Sequence, residues 1–147
     1  MKKYYLLIIL FMIFSCKGKV EDKHVVYLSP DCGCCHDWVK HMEKNNFPLE
    51  KNLNSNMYDV KINAGLPIDL ASCHTALING YFIEGHVPAN DVKRLIQQKP
   101  NGIIGLTVPG MPAGINVPGM EVNDEKANFD VLAIDLNGKS SVWAHYE

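Results

Sequence analysis

Runs of basic residues are missing from this 147-residue sequence, and no face of it is rich in arginine. Lysine and arginine total 14 against 16 acidic residues, a net charge of −2. A nucleic-acid surface needs clustered cations to meet phosphates, so that class of partner is excluded. Long apolar runs are missing too. The longest, Tyr4 to Phe14, has eleven residues, short of the roughly 20 that a membrane-spanning helix needs. No internal repeat is present, and no domain boundary follows residue 23. What remains is one domain of ordinary composition, 47% apolar and 20% charged, long enough to bury a core without disulfide staples.

The short apolar run has sharp flanks. Lys2 and Lys3 precede it, and Ser15-Cys16 and a polar stretch from Lys17 to His24 follow. That is the pattern of a secretory signal peptide over residues 1–15. Ile13-Phe14-Ser15-Cys16 also resembles a bacterial lipoprotein cleavage box. The expectation is a chain that begins at Cys16 with lipid on its sulfur, a tether over 16–23, and a domain over 24–147. Its place would be the bacterial cell envelope, periplasm-facing or on the outer surface, held to the membrane by the lipid.

With Cys16 assigned to lipid, four of the five cysteines are left for chemistry: Cys32, Cys34, Cys35 and Cys73. An exported compartment is oxidising, and cysteines there usually pair. Three within four residues cannot all pair locally. Either Cys73 joins them or a metal keeps them reduced. Cys32 and Cys35, at i and i+3, can form a disulfide or share a metal ion. Cys34 adds a thiolate that a simple redox pair does not need. Soft thiolates select Cu(I), Zn(II) or iron–sulfur clusters, and Cu(I) is the natural first choice in an exported protein. Two rivals stand beside it: a thiol–disulfide oxidoreductase using Cys32 and Cys35, and a structural zinc staple. The extra Cys34 and the lack of proline between the paired cysteines favour a metal-binding protein over an enzyme.

Periodicity predicts a buried strand at 24–28 and a helix from Cys34 to about Asn45, with Trp38, Val39 and Met42 inward. A strand over 47–53 and a short helix over 56–64 follow. The sharpest local signal is Asn79-Gly80 between two apolar runs, the sequence of a two-residue hairpin turn. It sets Ile78 opposite Tyr81, Thr75 opposite Glu84 and, extended outward, Cys73 opposite His86. Opposed residues have Cβ atoms about 5 Å apart, so Cys73 and His86 can serve one metal, with His74 on the other face if the ladder reaches that far. A helix opened by Pro88 and ended by Pro100, a strand over 103–108, an irregular Pro/Gly-rich segment over 109–121 and a second Asn-Gly hairpin (129–136 with 139–146) complete the chain. This order predicts an α/β, thioredoxin-like domain with an extra C-terminal β-hairpin. In that fold the cysteines sit where a helix begins, and the partial positive charge there favours thiolate.

His36 adjoins the thiolates and is a candidate outer ligand. His41 lies roughly 10 Å along the helix from Cys34, at about 1.5 Å per residue, too far to share one metal ion with it. Met111 and Met120, each in Pro-Gly-Met, offer soft thioethers on a stiff loop. His24 and His145 fall at strand ends.

Five segments together resemble the CopG-type family of periplasmic copper-handling proteins, catalogued as a domain of unknown function. They are Cys-Gly-Cys-Cys-x-x-Trp-x-x-His (32–41), Ser-Cys-His-Thr-Ala (72–76), Glu-Gly-His-Val-Pro (84–88), Val-Pro-Gly-Met-Pro (108–112) and Pro-Gly-Met-Glu (118–121). The resemblance implies a thioredoxin-like fold and copper held through Cys32, Cys34, Cys35, Cys73, His86 and His41, in a site open to several Cu(I) ions; a multinuclear site removes the distance objection to His41. Ala113 to Pro118 is longer than the family's usual link, which unsettles Met120 more than Met111. The expected function is copper sequestration, transfer or redox handling in copper tolerance, with a copper-transfer protein as a further partner.

Overall fold

The structure is a computed structural model that describes residues 24–147. The expected signal peptide, Cys16 and the tether lie outside the described residues. Besides a one-turn 3-10 helix at Ile68–Leu70, ten elements follow in order: β1 (Val25–Leu28), α1 (Gly33–Lys44), β2 (Glu50–Leu53), α2 (Met57–Asn63), β3 (Thr75–Ile78), β4 (Tyr81–Glu84), α3 (Ala89–Gln98), β5 (Ile103–Thr107), β6 (Phe129–Asp135) and β7 (Ser140–Tyr146). The seven strands form one mixed sheet in the order β2-β1-β3-β4-β5-β6-β7. β1–β2 and β4–β5 run parallel, and every other neighbouring pair is antiparallel. The domain is thus a single mixed α/β unit with three helices.

Alternation along the strands splits the apolar side chains between two faces. Val26, Leu28, Ala76, Ile78, Ile83 and Leu106 meet α1 and α3 in the larger cluster, where Trp38 and Leu95 are fully buried. Phe82, Ile134 and Leu66 form a smaller cluster. The inward stripe of α1 is Cys35, Trp38, Val39 and Met42, the i, i+3, i+4, i+7 set expected of a helix on a core.

The β3–β4 hairpin has the predicted register, Thr75 with Glu84 through Ile78 with Tyr81. Asn79 and Gly80 take φ of 51° and 81°, the left-handed pair that a type I′ turn requires. The second hairpin differs. Its backbone closes between Asp135 and Lys139, so the loop holds three residues, not two. The Asp135 carboxylate accepts from the N–H groups of Asn137 and Lys139 at 2.8 and 2.9 Å, a side-chain route to a turn. Nor does this hairpin stand apart, because β6 pairs with β5. β7 anchors α3: the Tyr146 hydroxyl donates to Asp91 at 2.5 Å, Arg94 donates to the Trp143 carbonyl at 2.8 Å, and its guanidinium lies 4.2 Å from the Trp143 ring.

Candidate metal centre

Pro30-Asp31 ends β1, and the chain turns at once into α1. The Cys32 N–H bonds to the Ser29 carbonyl and the His36 N–H bonds to that of Cys32. Cys32 is therefore the cap residue of α1, and Cys34 and Cys35 lie in its first turn. Cys32 and Cys35 are joined as a disulfide, their Cα atoms 5.3 Å apart, while Cys34 and Cys73 are free thiols. Cys34 Sγ lies 3.5 Å from Cys32 Sγ. All four sulfurs lie within 4.8 Å of one another.

Cys73 belongs to a second group as well. Its sulfur is 3.3 Å from Nδ1 of His74 and 3.2 Å from Nε2 of His86, and these three ligand atoms also fall within 4.8 Å of each other. Cys73 lies beside His86, the juxtaposition that extending the hairpin register predicted, although no strand pairing joins the two residues. His74 was expected on the other face. The β3–β4 strands end at Thr75 and Glu84, so strict alternation no longer governs the residues beyond, and His74 joins the cluster. Its ring lies 4.4 Å from that of Trp38 and 5.2 Å, edge-on, from that of His86.

The tautomer of His86 is set by its surroundings. Nδ1 lies 2.7 Å from the Pro118 carbonyl, which can only accept, so Nδ1 carries the proton and Nε2 presents a lone pair to Cys73. An imidazole oriented by a carbonyl on its far nitrogen is the usual metal-ligand arrangement. Burial holds His86 below the ordinary imidazole range and, with His86 nearby, holds His74 further below. Both rings are neutral at neutral pH. Burial also pushes the Cys73 thiol up to about 11, against the weaker pull of the Ser72 hydroxyl. A metal ion binding there displaces a proton.

Two supports hold this arrangement. The first is the loop after β5. Gly119, at φ +78°, sits so close to α1 that a Cβ on it would meet the Trp38 backbone nitrogen at 2.6 Å and the Cys34 carbonyl oxygen at 2.8 Å. That approach delivers the Pro118 carbonyl to His86. The Asn116 side chain ties the same loop to Ala127 with two bonds of 2.8 and 2.9 Å. The second support is a buried ion pair that the sequence reading missed. Lys61 Nζ lies 2.5 Å from Glu84 Oε1, with 5% and 0% of the two residues exposed. Glu84 also accepts the Ser72 N–H and the Thr75 hydroxyl at 2.6 Å each, fixing the backbone just before Cys73. Glu84 in an otherwise apolar strand was the signal, since a buried carboxylate demands partners.

The structure gathers Cys32, Cys34, Cys35, Cys73, His74 and His86. His36 and His41 belong to neither group of ligand atoms. His36 is partly exposed, its Nε2 3.3 Å from the Pro30 carbonyl. His41 accepts the Ala89 N–H on Nε2 at 3.1 Å. Met111 is 62% exposed, and Met120 packs against the core. His24 and His145 are engaged by Asn79 and Asp130.

A family described as a protein of unknown function, DUF411, matches residues 70–120, which hold Cys73, His74, His86 and the Pro-Gly-Met loop. Two solved structures of the copper resistance protein CopG, Form 2 and Form 1, are each 40% identical to this chain. They match 85% and 84% of it, 98% and 96% of their own length, with TM-scores of 0.79 and 0.78. The chain belongs to the CopG family. No curated protein matches the sequence. The CopG likeness spans both halves of the site, whereas the DUF411 match begins after the Cys32–Cys35 segment.

Proposed function

We propose that the protein binds copper, as Cu(I), through Cys32, Cys34, Cys35, Cys73, His74 and His86, and serves copper sequestration, transfer or redox handling in the bacterial cell envelope. The observation that carries this is the shared Cys73. Four sulfurs within 4.8 Å on one side and two neutral imidazoles on the other meet at its Sγ. Sulfur and imidazole donors in this number suit Cu(I), and two groups joined at one thiolate suit more than one ion bridged by sulfur. The copper resistance proteins in the family support the choice of metal. Reading residues 1–15 as a signal peptide and Cys16 as a lipid anchor supports a site of action outside the cytoplasm, with a copper-transfer protein as partner. We also read the domain as thioredoxin-like: the β2-β1-β3-β4 order with α1 following β1 supports that reading.

The test is anaerobic titration of the reduced protein with Cu(I) against a competing chelator. Retained stoichiometric copper that falls on Cys34→Ser supports the proposal. No retained copper, with disulfide reductase activity that survives Cys34→Ser, sinks it. That second outcome is the rival function of a thiol–disulfide oxidoreductase, which the Cys32–Cys35 disulfide favours.

A further inference from the structure

Trp38 and His41 stand three apart on α1, on the flank that meets the segment following His86. Each bonds to backbone there. The Trp38 indole N–H donates to the Val87 carbonyl at 2.9 Å in a buried contact, and the Ala89 N–H donates to His41 Nε2 at 3.1 Å. The two bonds straddle Pro88, which has no N–H of its own to contribute.

Ala89 is the first residue of α3, so its N–H has no partner within the helix. Pro88, as the residue preceding it, offers no side-chain cap. His41 fills that role from another helix. A backbone N–H can only donate, so the ring nitrogen that receives it holds the lone pair. The proton of the neutral ring is then on Nδ1. With Nε2 committed and Nδ1 protonated, His41 has no lone pair left for a metal ion.

We propose that His41 is a positioning residue for His86 and not a ligand: Trp38 and His41 clamp Val87 and Ala89 to the helix that carries Cys34 and Cys35. The inference rests on the copper-binding function proposed above. It gives the Trp-x-x-His of the cysteine motif a mechanical task. The clamp fixes the chain immediately after His86, while Pro118 fixes the His86 ring itself, so the imidazole reaches Cys73 with two constraints already met. Because the clamp starts from α1, it also ties the imidazole side of the site to the sulfur side.

The test uses the reduced full chain with Cu(I) as probe, in wild type, His41→Gln and His41→Leu. Glutamine Oε1 can take the Ala89 N–H, so His41→Gln should keep both copper stoichiometry and affinity. His41→Leu should keep the stoichiometry while affinity falls about tenfold, the size of one lost hydrogen bond. Nitrogen-15 spectra of the imidazoles add a direct readout: His86 Nε2 should shift on loading with diamagnetic Cu(I), and His41 Nε2 should not. A copper equivalent lost in His41→Gln, a His41 Nε2 shift on loading, or wild-type affinity in His41→Leu would each overturn the proposal. Amide exchange at Ala89 in the metal-free protein separates this failure from that of the copper function. Slow exchange in wild type, faster in His41→Leu and slow again in His41→Gln, supports the clamp without any copper; fast exchange in wild type refutes it. Should His41→Leu not fold, His41→Gln and the spectra decide.

Discussion

Replacing Lys61 by methionine tests whether the buried ion pair supports the Cys73 side of the site. Methionine matches the aliphatic stem and removes only the ammonium. Glu84, with none of its surface exposed, then keeps a charge that solvent cannot reach. Removing one partner of a buried pair costs about 3–5 kcal/mol, because the other charge is left uncompensated. The Ser72 N–H and Thr75 hydroxyl still donate to the carboxylate, which places the loss at the lower end, about 3 kcal/mol. For a domain of this size that lowers Tm by roughly 10 °C. The diagnostic step is the double variant. Adding Glu84→Gln removes the orphan charge yet leaves an oxygen for Ser72, so Lys61→Met/Glu84→Gln should regain about 2 kcal/mol relative to Lys61→Met alone. Urea unfolding of the reduced, metal-free protein measures all three. A double variant no more stable than Lys61→Met would refute the reasoning, as would a single-variant loss under about 1 kcal/mol, the size of a surface pair.

Gly119→Ala should destabilise by about 2–3 kcal/mol, from a left-handed backbone plus a Cβ driven into α1. Gly110→Ala, at φ +69° with nothing within 4 Å of its Cβ, should cost only about 1 kcal/mol; equal losses in urea unfolding would show that close approach at Gly119 does not matter. The metal-free protein with its Cys32–Cys35 disulfide intact should be most stable between about pH 6.5 and 9. The Cys73 thiol sits at about 11 in the fold against an ordinary 9.0, so its contribution is full below pH 9 and lost as pH rises towards 11. His74 and His86 are held below the ordinary 6.5, so theirs is full above that value and lost as pH falls. Stability still rising from pH 9 to 11 in the wild type, with Cys73→Ser unchanged, would contradict this.

The parts of the fold legible in the sequence were those fixed by neighbours along the chain. Asn79-Gly80 sets the register from Ile78 with Tyr81 out to Thr75 with Glu84, and Cys73 and His86 lie just beyond its end; the stripe on α1 follows from its 3.6-residue period. What stayed hidden depends on elements meeting. Lys61 reaches Glu84 only because α2 packs on β3. His41 reaches Ala89 only because α1 lies against α3. The rise per residue argues against His41 in a single-ion site at Cys34, but nothing local could supply its partner. The Pro-Gly-Met loop drew notice for its methionines, whereas the group acting on the site is the Pro118 carbonyl, which side-chain patterns do not display. In the second hairpin an aspartate at 135 outweighed Asn-Gly, and the turn gained a residue.

The disulfide and the metal make opposing demands on the same atoms. A sulfur bound to sulfur has no thiolate charge to give a metal ion, so with Cys32 joined to Cys35 only Cys34, Cys73, His74 and His86 remain as donors. Reducing the disulfide takes two electrons and two protons and frees both sulfurs of a group of four that lies within 4.8 Å while the disulfide is formed. Little movement is needed for this exchange, because Cys32 caps the helix and Cys34 and Cys35 are already in its first turn. Cys73 lies outside the change, on a separate hairpin braced by Glu84 and Ser72. The site therefore consists of a fixed half, Cys73 with its two imidazoles, and a half whose donor count follows the redox state of Cys32 and Cys35. A third cysteine between such a pair is of little use to a plain oxidoreductase. In a metal site it keeps one thiolate beside Cys73 in both states, and that is the physical case for Cys34.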